Sequence, residues 1–172
     1  AHADDETLGL GAQLPRMPGI TIVHVTDGAP RNLVDARRNG FATAEEYAAA
    51  RRREVETAAA LAGVPLSALV SLGVADQDAA FNLVPLARRV AELIEREDFE
   101  VVLTHAYEGG HPDHDATAFA ANAAARIVRA RAPERRSLIV EMPFYRAGPK
   151  GLINQSFLPD AQAPELTLWL DR

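Results

Sequence analysis

The chain has no cysteine among its 172 residues, which excludes disulfides and thiolate metal ligands together. Any transition-metal site must therefore be built from His, Asp and Glu. No stretch approaches the roughly 20 apolar residues of a membrane span, and no signal peptide is visible, so a cytoplasmic location is expected. The 18 basic residues are scattered and outnumbered by 24 acidic ones, for a net charge of −6, and nothing marks a nucleic-acid surface. The run GLGAQLPRMPG does not follow a strand with the G-x-G-x-x-G spacing of a dinucleotide site. No nucleophile elbow is present, nor any internal repeat or low-complexity linker.

What is present is an alternation. ITIVHVT (20–26), LVSLGV (69–74), FEVVLTH (99–105) and SLIVEMPF (137–144) are short, apolar and rich in β-branched residues, and read as strands. Between them, residues 43–63, 82–98 and 115–132 carry apolar positions at three-and-four spacing, the pattern of helices. Thr43 with Glu46 suggests a capping box, and Gly63 a helix stop. Nearly all-apolar strands alternating with helices imply a parallel sheet covered on both faces. The expected fold is a Rossmann-like α/β sandwich of three layers with a mostly parallel sheet, in one domain over residues 1–172. A polar loop at 27–41 is long for a βα connection, and such loops often carry function. The tail from 146 carries Gly, Pro and Asn punctuation without a period and is expected to form loops or a cap.

Ligands of open α/β sheets bind at the carboxyl ends of strands, and two clusters sit at such positions. The chain begins AHADDE, ahead of a short helical run at 7–14. In this layout His2 ends a strand that the sequence does not contain, and Asp5 opens the following helix. The three-residue separation lets an imidazole and a carboxylate converge, and the adjacent Asp4 and Asp5 aim differently, so that one can hold a metal while the other faces its water. The second cluster, THAYEGGHPDHDAT, follows the strand ending at His105. Gly109 and Gly110 permit a tight course, Pro112 stiffens the turn, and Asp113 is expected to cap the helix starting near His114. If the two strands are neighbours, His2, Asp5 and His114 form a His₂Asp triad with an open position, the donor set of a hydrolytic zinc site. His24 and His105 read as packed strand histidines, with His105 also placed to line a pocket. The RRRE run (51–54) is a solvated helix face from which one arginine points inward.

AHADDE, HPDHDA and the intervening TDGAPRN and EEYAAARRRE resemble the PIG-L/LmbE-like deacetylases, whose pattern is a His-Pro-Asp-Asp-Glu run and a later His-Pro-Asp-His. Ala3 stands where that pattern has proline, and the resemblance extends to about residue 144. It implies a Rossmann-like fold and removal of the acetyl group from an N-acetylglucosamine-type sugar by a one-zinc enzyme, with Fe²⁺ as the other candidate metal. The implied ligands are His2, Asp5 and His114. Asp4 is the implied general base, protonated His111 the implied oxyanion donor, and Asp113 a support that steers a histidine tautomer. Arg51 and Asp76 are the implied substrate contacts, with Tyr107 and Glu108 placed in the same loop as His111. Two other functions fit the sequence: hydrolysis of a different amide or ester, and a carbohydrate-binding relative without activity. The expected partner is a small N-acetylated sugar rather than a nucleic acid or membrane, and the sequence leaves a homo-oligomer open.

Overall fold

Strands and helices alternate as the apolar pattern demands. The computed structural model describes residues 1–160 and 162–169. In chain order its elements are α1 (Asp5–Leu10), β1 (Ile22–Thr26), α2 (Val34–Arg38), α3 (Ala44–Leu61), β2 (Leu69–Val74), α4 (Leu83–Glu97), β3 (Val101–His105), α5 (Pro112–Arg131), β4 (Leu138–Met142), β5 (Tyr145–Gly148) and β6 (Gly151–Asn154). The capping box is formed: Thr43 Oγ1 accepts from the Glu46 N–H at 3.1 Å, and the Glu46 carboxylate accepts from the Thr43 N–H at 3.3 Å. Two orphan donors of α3 are thereby satisfied. The helix ends before Gly63, whose φ of +73° suits a residue without Cβ.

β1 and β2 pair in parallel, with Ile22 opposite Leu69, and β3 and β4 pair in parallel, with Val101 opposite Leu138. The β1–β2 pair is covered on both faces. Val55 and Ala59 of α3 pack with Leu14, Ile22 and Leu69 on one side. Leu86 and Leu93 of α4 and Ala116 and Ala120 of α5 pack with Val25 and Leu72 on the other. Small residues let α4 and α5 approach closely, with Ala91 and Ile94 against Ala124 and Val128. Three layers result, as expected. Among the described residues no helix is long and apolar enough to cross a membrane.

One expectation needs refinement. The parallel strands do not join into a single sheet, because β1 and β3 are separated by a mostly apolar cavity of about 680 Å³ lined by residues 21–25, 98–105 and parts of α1, α4 and α5. At its upper end the Ala1 carbonyl accepts from the N–H groups of Val25 and Thr26 at 3.0 and 3.1 Å. Two further features escaped the sequence reading. The 27–41 loop contains the short helix α2, and the tail opens with the antiparallel hairpin β5–β6 around Pro149 and Lys150.

Leu86, 1% exposed, is the largest fully buried side chain where α4 meets the sheet. Leu86→Ala should cost about 2–5 kcal/mol, seen as a lower urea midpoint at unchanged slope. A loss under 1 kcal/mol would show that this interface is loosely packed.

Candidate metal centre

α1 brings Asp5 beneath the start of the chain, and α5 brings His114 to the same place from the end of β3. His2 Nδ1 lies 3.2 Å from His114 Nε2 and 3.4 Å from Asp5 Oδ2, and His114 Nε2 lies 3.4 Å from Asp5 Oδ1. Donors held at 2.0–2.1 Å around a tetrahedral ion stand about 3.3–3.4 Å apart. The two imidazole nitrogens stand at the separation such an ion requires, and Asp5 reaches them through different oxygens, Oδ2 toward His2 and Oδ1 toward His114; the donor types fit.

The carboxylates around the triad set its orientation. Asp113 is fully buried at 0% exposure. It accepts from His2 Nε2 at 3.1 Å and from the backbone N–H groups of Gln77 and Ala79 at 2.7 and 3.0 Å. With its Nε2–H given to Asp113, His2 turns the lone pair of Nδ1 toward Asp5 and His114. This corrects the expectation that Asp113 caps α5. The cap is His111, whose Nδ1 accepts from the Asp113 N–H at 3.1 Å, and the Asp113 side chain is withdrawn into the interior. Asp5 is held through Oδ2, which accepts from the His2 N–H at 2.7 Å and from the Ala1 amino group at 2.9 Å and lies 3.1 Å from His105 Nε2. Oδ1 is left facing His114.

Protonation follows from burial and neighbours. Burial works against a charged His2, but Asp113, Asp5 and Asp76 outweigh it and raise its pKa to about 11 in the metal-free protein. Burial would raise Asp5, yet hydrogen bonds from His105, His114 and His2 hold it far below the usual carboxylate range. Burial lowers His105 to about 4 despite its bond to Asp5. His111 is lowered by burial and then by the charges of His2 and His114. At neutral pH it is a neutral ring, and because Nδ1 accepts from Asp113, Nε2 carries the hydrogen. The protonated His111 expected from the sequence is replaced by a neutral Nε2–H donor.

The remaining expected residues are distributed as follows. His111 joins the cluster, its ring centroid 4.7 Å from that of His2 and 5.2 Å from that of His114. Asp76 Oδ1 is 3.6 Å from His2 Nε2. Asp4 is half-exposed, at 47%, and pairs with Arg51 Nη2 at 2.9 Å, so two residues given separate duties are in contact. Tyr107 is 67% exposed, and no hydrogen bond or ring contact ties it to the cluster among the described residues. Grouped by donor distance, His2, His111 and His114 form one metal-capable set, Asp5, His105 and His114 a second, and His2, Asp76, His111 and Asp113 a third.

Several contacts that support the centre come only from the fold. His24, buried in β1, bonds Glu6 of α1 at 3.0 Å. Asp115 accepts from the Glu108 and Gly109 N–H groups, and Glu108 accepts from the Phe144 N–H at 2.7 Å, so the 105–111 loop is clipped to the end of β4. Gly110 packs so tightly there that a Cβ would lie 1.7 Å from the Tyr145 carbonyl oxygen. The Phe144 and Tyr145 rings stand 5.2 Å from the His114 ring and wall the centre on that side. His24, Glu108 and Gly110 were legible as a packed strand histidine, a loop residue and a tight-turn glycine, but not their partners; Asp115, Phe144 and Tyr145 were not singled out.

Coordination needs a neutral His2, and its raised pKa means that the metal-free centre carries that proton at pH 7. Ion binding should therefore release about one proton per chain, measured by titration calorimetry in buffers of different ionisation enthalpy. Affinity should rise with pH. The sign for the metal-free fold is opposite: the His2 contribution to stability is complete below pH 6.5 and is lost as pH rises toward 11. Heats independent of buffer would contradict the assignment.

A family model described as PIG-L, GlcNAc-PI de-N-acetylase, matches residues 1–125. No curated protein matches. Among solved structures, the A40926 pseudoaglycone deacetylase Dbv21 is 27% identical, with 73% of this chain and 56% of that one covered and a TM-score of 0.61. The N,N'-diacetylchitobiose deacetylase of Pyrococcus horikoshii is 20% identical, with 84% and 57% covered and a TM-score of 0.60, a likeness of fold. GalB, the 4-carboxy-2-hydroxymuconate hydratase of Pseudomonas putida KT2440, is 24% identical, with 85% and 62% covered and a TM-score of 0.59, again a likeness of fold. The chain spans 56–57% of the length of both deacetylases. The matched residues 1–125 contain both the AHADDE and the HPDHDA clusters, and the chain belongs to the PIG-L family of GlcNAc-PI de-N-acetylases.

Proposed function

We propose that this chain is the catalytic part of a metal-dependent hydrolase that removes the N-acetyl group from an N-acetylglucosamine-type sugar conjugate. The observation that carries the reading is the triad itself: two imidazole nitrogens 3.2 Å apart with the Asp5 carboxylate beside both, Oδ2 toward His2 and Oδ1 toward His114. Asp113 and His105 fix the two residues nearest the start of the chain. His2, Asp5 and His114 would hold Zn²⁺, with Fe²⁺ as the other candidate. When bound, the ion supplies Lewis acidity, polarising the acetyl carbonyl and lowering the pKa of water.

The protein groups account for the proton movements and the orientation. Asp4 takes the proton of the attacking water as its oxygen bonds to the acetyl carbon. His111 donates its Nε2–H to the oxygen on which negative charge develops, a contribution of about 3–4 kcal/mol for a well-placed donor. Asp4 then returns the proton to the sugar nitrogen, the C–N bond breaks, and acetate and the free amine leave. Arg51 fixes the Asp4 carboxylate through the contact at 2.9 Å. Asp76, beside His2, accepts from a sugar hydroxyl, and Tyr107 is exposed and available to the substrate. In this reading residues 1–172 act as one domain, with the 27–41 loop and the residues from 146 onward forming the walls that select the aglycone. GalB shows that the same fold also serves a hydratase, so the reading rests on the triad and the family rather than on the fold.

Asp4→Asn should keep the metal and lose about 10²–10⁴-fold in turnover, whereas His114→Ala should lose the metal. The measurements are metal content and free-amine release from N-acetylglucosaminides of differing aglycone. Full rate in Asp4→Asn would remove it as the base. Stoichiometric metal with no amine released, but with other amides or esters cleaved, would shift the acyl group. Metal with no cleavage of any of them would favour a binding protein.

A further inference from the structure

We infer that His105 is a positioning residue of the metal centre: it holds Asp5 by Oδ2, the oxygen on the His2 side, so that Oδ1 faces His114. The inference rests on the metal-centre reading above and adds to it a residue outside the triad.

The need for such a residue comes from α1. Asp5 sits at the start of a six-residue helix whose N-cap, Asp4, makes no side-chain cap. A helix that short does not hold its own geometry in isolation, so the direction of the Asp5 carboxylate must be set from outside. Two strand histidines supply anchors to successive acidic residues of α1. His24, from β1, bonds Glu6 Oε2 at 3.0 Å, and His105, from the last position of β3, bonds Asp5 Oδ2 at 3.1 Å. The two strands on either side of the cavity thus grip the same helix. His105 ties the carboxylate of α1 to the strand that leads into the His111–His114 loop, linking the two halves of the centre.

His105 also lies close enough to Asp5 and His114 to be counted with them as a metal-capable group, but its ring orientation excludes joint ligation with His114. The two rings are stacked, with centroids 4.0 Å apart and planes within 2°. Imidazole nitrogens bind an ion in the plane of the ring, and two parallel planes so separated have no common point at a bonding distance of about 2.1 Å from both nitrogens. The ring is 2% exposed, and its Nδ1 is buried without a hydrogen-bond partner. Its polar contacts are therefore on the ε side, with Asp5 Oδ2 at 3.1 Å and the Ala1 amino group at 2.9 Å. The stacking adds a second constraint, since it fixes the plane in which His114 presents Nε2.

The test compares wild type with His105→Gln and His105→Asn. Glutamine places an amide donor near the position of Nε2, whereas asparagine stops at that of Nδ1. Zn²⁺ and Co²⁺ affinities are read by competition with a chromophoric chelator, and the visible bands of the Co²⁺ forms report ligand geometry. His105→Asn should weaken binding about 10–100-fold and alter the Co²⁺ bands, while His105→Gln should recover most of the affinity. Equal affinity and spectra in wild type and His105→Asn would overturn the inference. So would a Gln variant as weak as the Asn one, which would assign the effect to packing. Loss of binding in both, to the extent seen in His114→Ala, would make His105 a ligand and also overturn it. If wild type binds neither ion, the metal-centre reading itself fails.

Discussion

Asp5 is a carboxylate buried to 4% exposure at the meeting point of three imidazoles. An isolated charge in that position would be strongly unfavourable, so the structure around it is largely a set of arrangements for compensating it. His2 closes over it from the start of the chain, His105 comes from the end of β3 and His114 from the first turn of α5. Each of these residues is itself restrained, His2 by Asp113, His114 by stacking on His105, and Asp113 by two backbone amides of the segment after β2. Negative and positive groups thus alternate from Asp113 through His2 to Asp5, which the His105 ring meets at the β3 end. A divalent cation placed among His2, Asp5 and His114 would complete the neutralisation that the His2 proton provides without it.

The fold makes this arrangement available because parallel strands deliver their carboxyl ends to the same edge. β2 ends beside the Gln77–Ala79 segment that grips Asp113, and β3 ends at His105. The 105–111 loop would be free to swing on its two glycines, but Asp115 and Glu108 fasten it, and Gly110 fits against the Tyr145 carbonyl where no larger residue can. Preorganisation of this kind matters for the proposed chemistry, since a donor displaced by 1 Å loses most of its value. Arg51 extends the same logic outward, holding Asp4 at the solvent side of the triad.

Much of this was legible in the sequence because it depends on local order. The alternation of apolar runs with helical spacing gives the layers, and His2, Asp5 and His114 converge because each sits at a strand end or helix start. What was not legible depends on long-range partners. Asp113 sits at the position in its turn where a cap is ordinary, and only the fold reveals that Gln77 and Ala79 claim its side chain. His105 reads as an unremarkable strand terminus until α1 is placed beneath it. The division of the parallel strands into two pairs is likewise invisible locally, since pairing runs through backbone N–H and C=O groups that every strand residue carries on both edges. The β5–β6 hairpin was missed because four-residue strands are too short to establish a period.

The account stands or falls on whether the two clusters share one ion through imidazole and carboxylate together. X-ray absorption at the zinc edge of the loaded protein tests this most directly. A first shell of about four nitrogen and oxygen scatterers near 2.0–2.1 Å, with the outer-shell signature of two imidazoles, is the predicted result. A shell of oxygens alone, or one with no imidazole contribution, would contradict it.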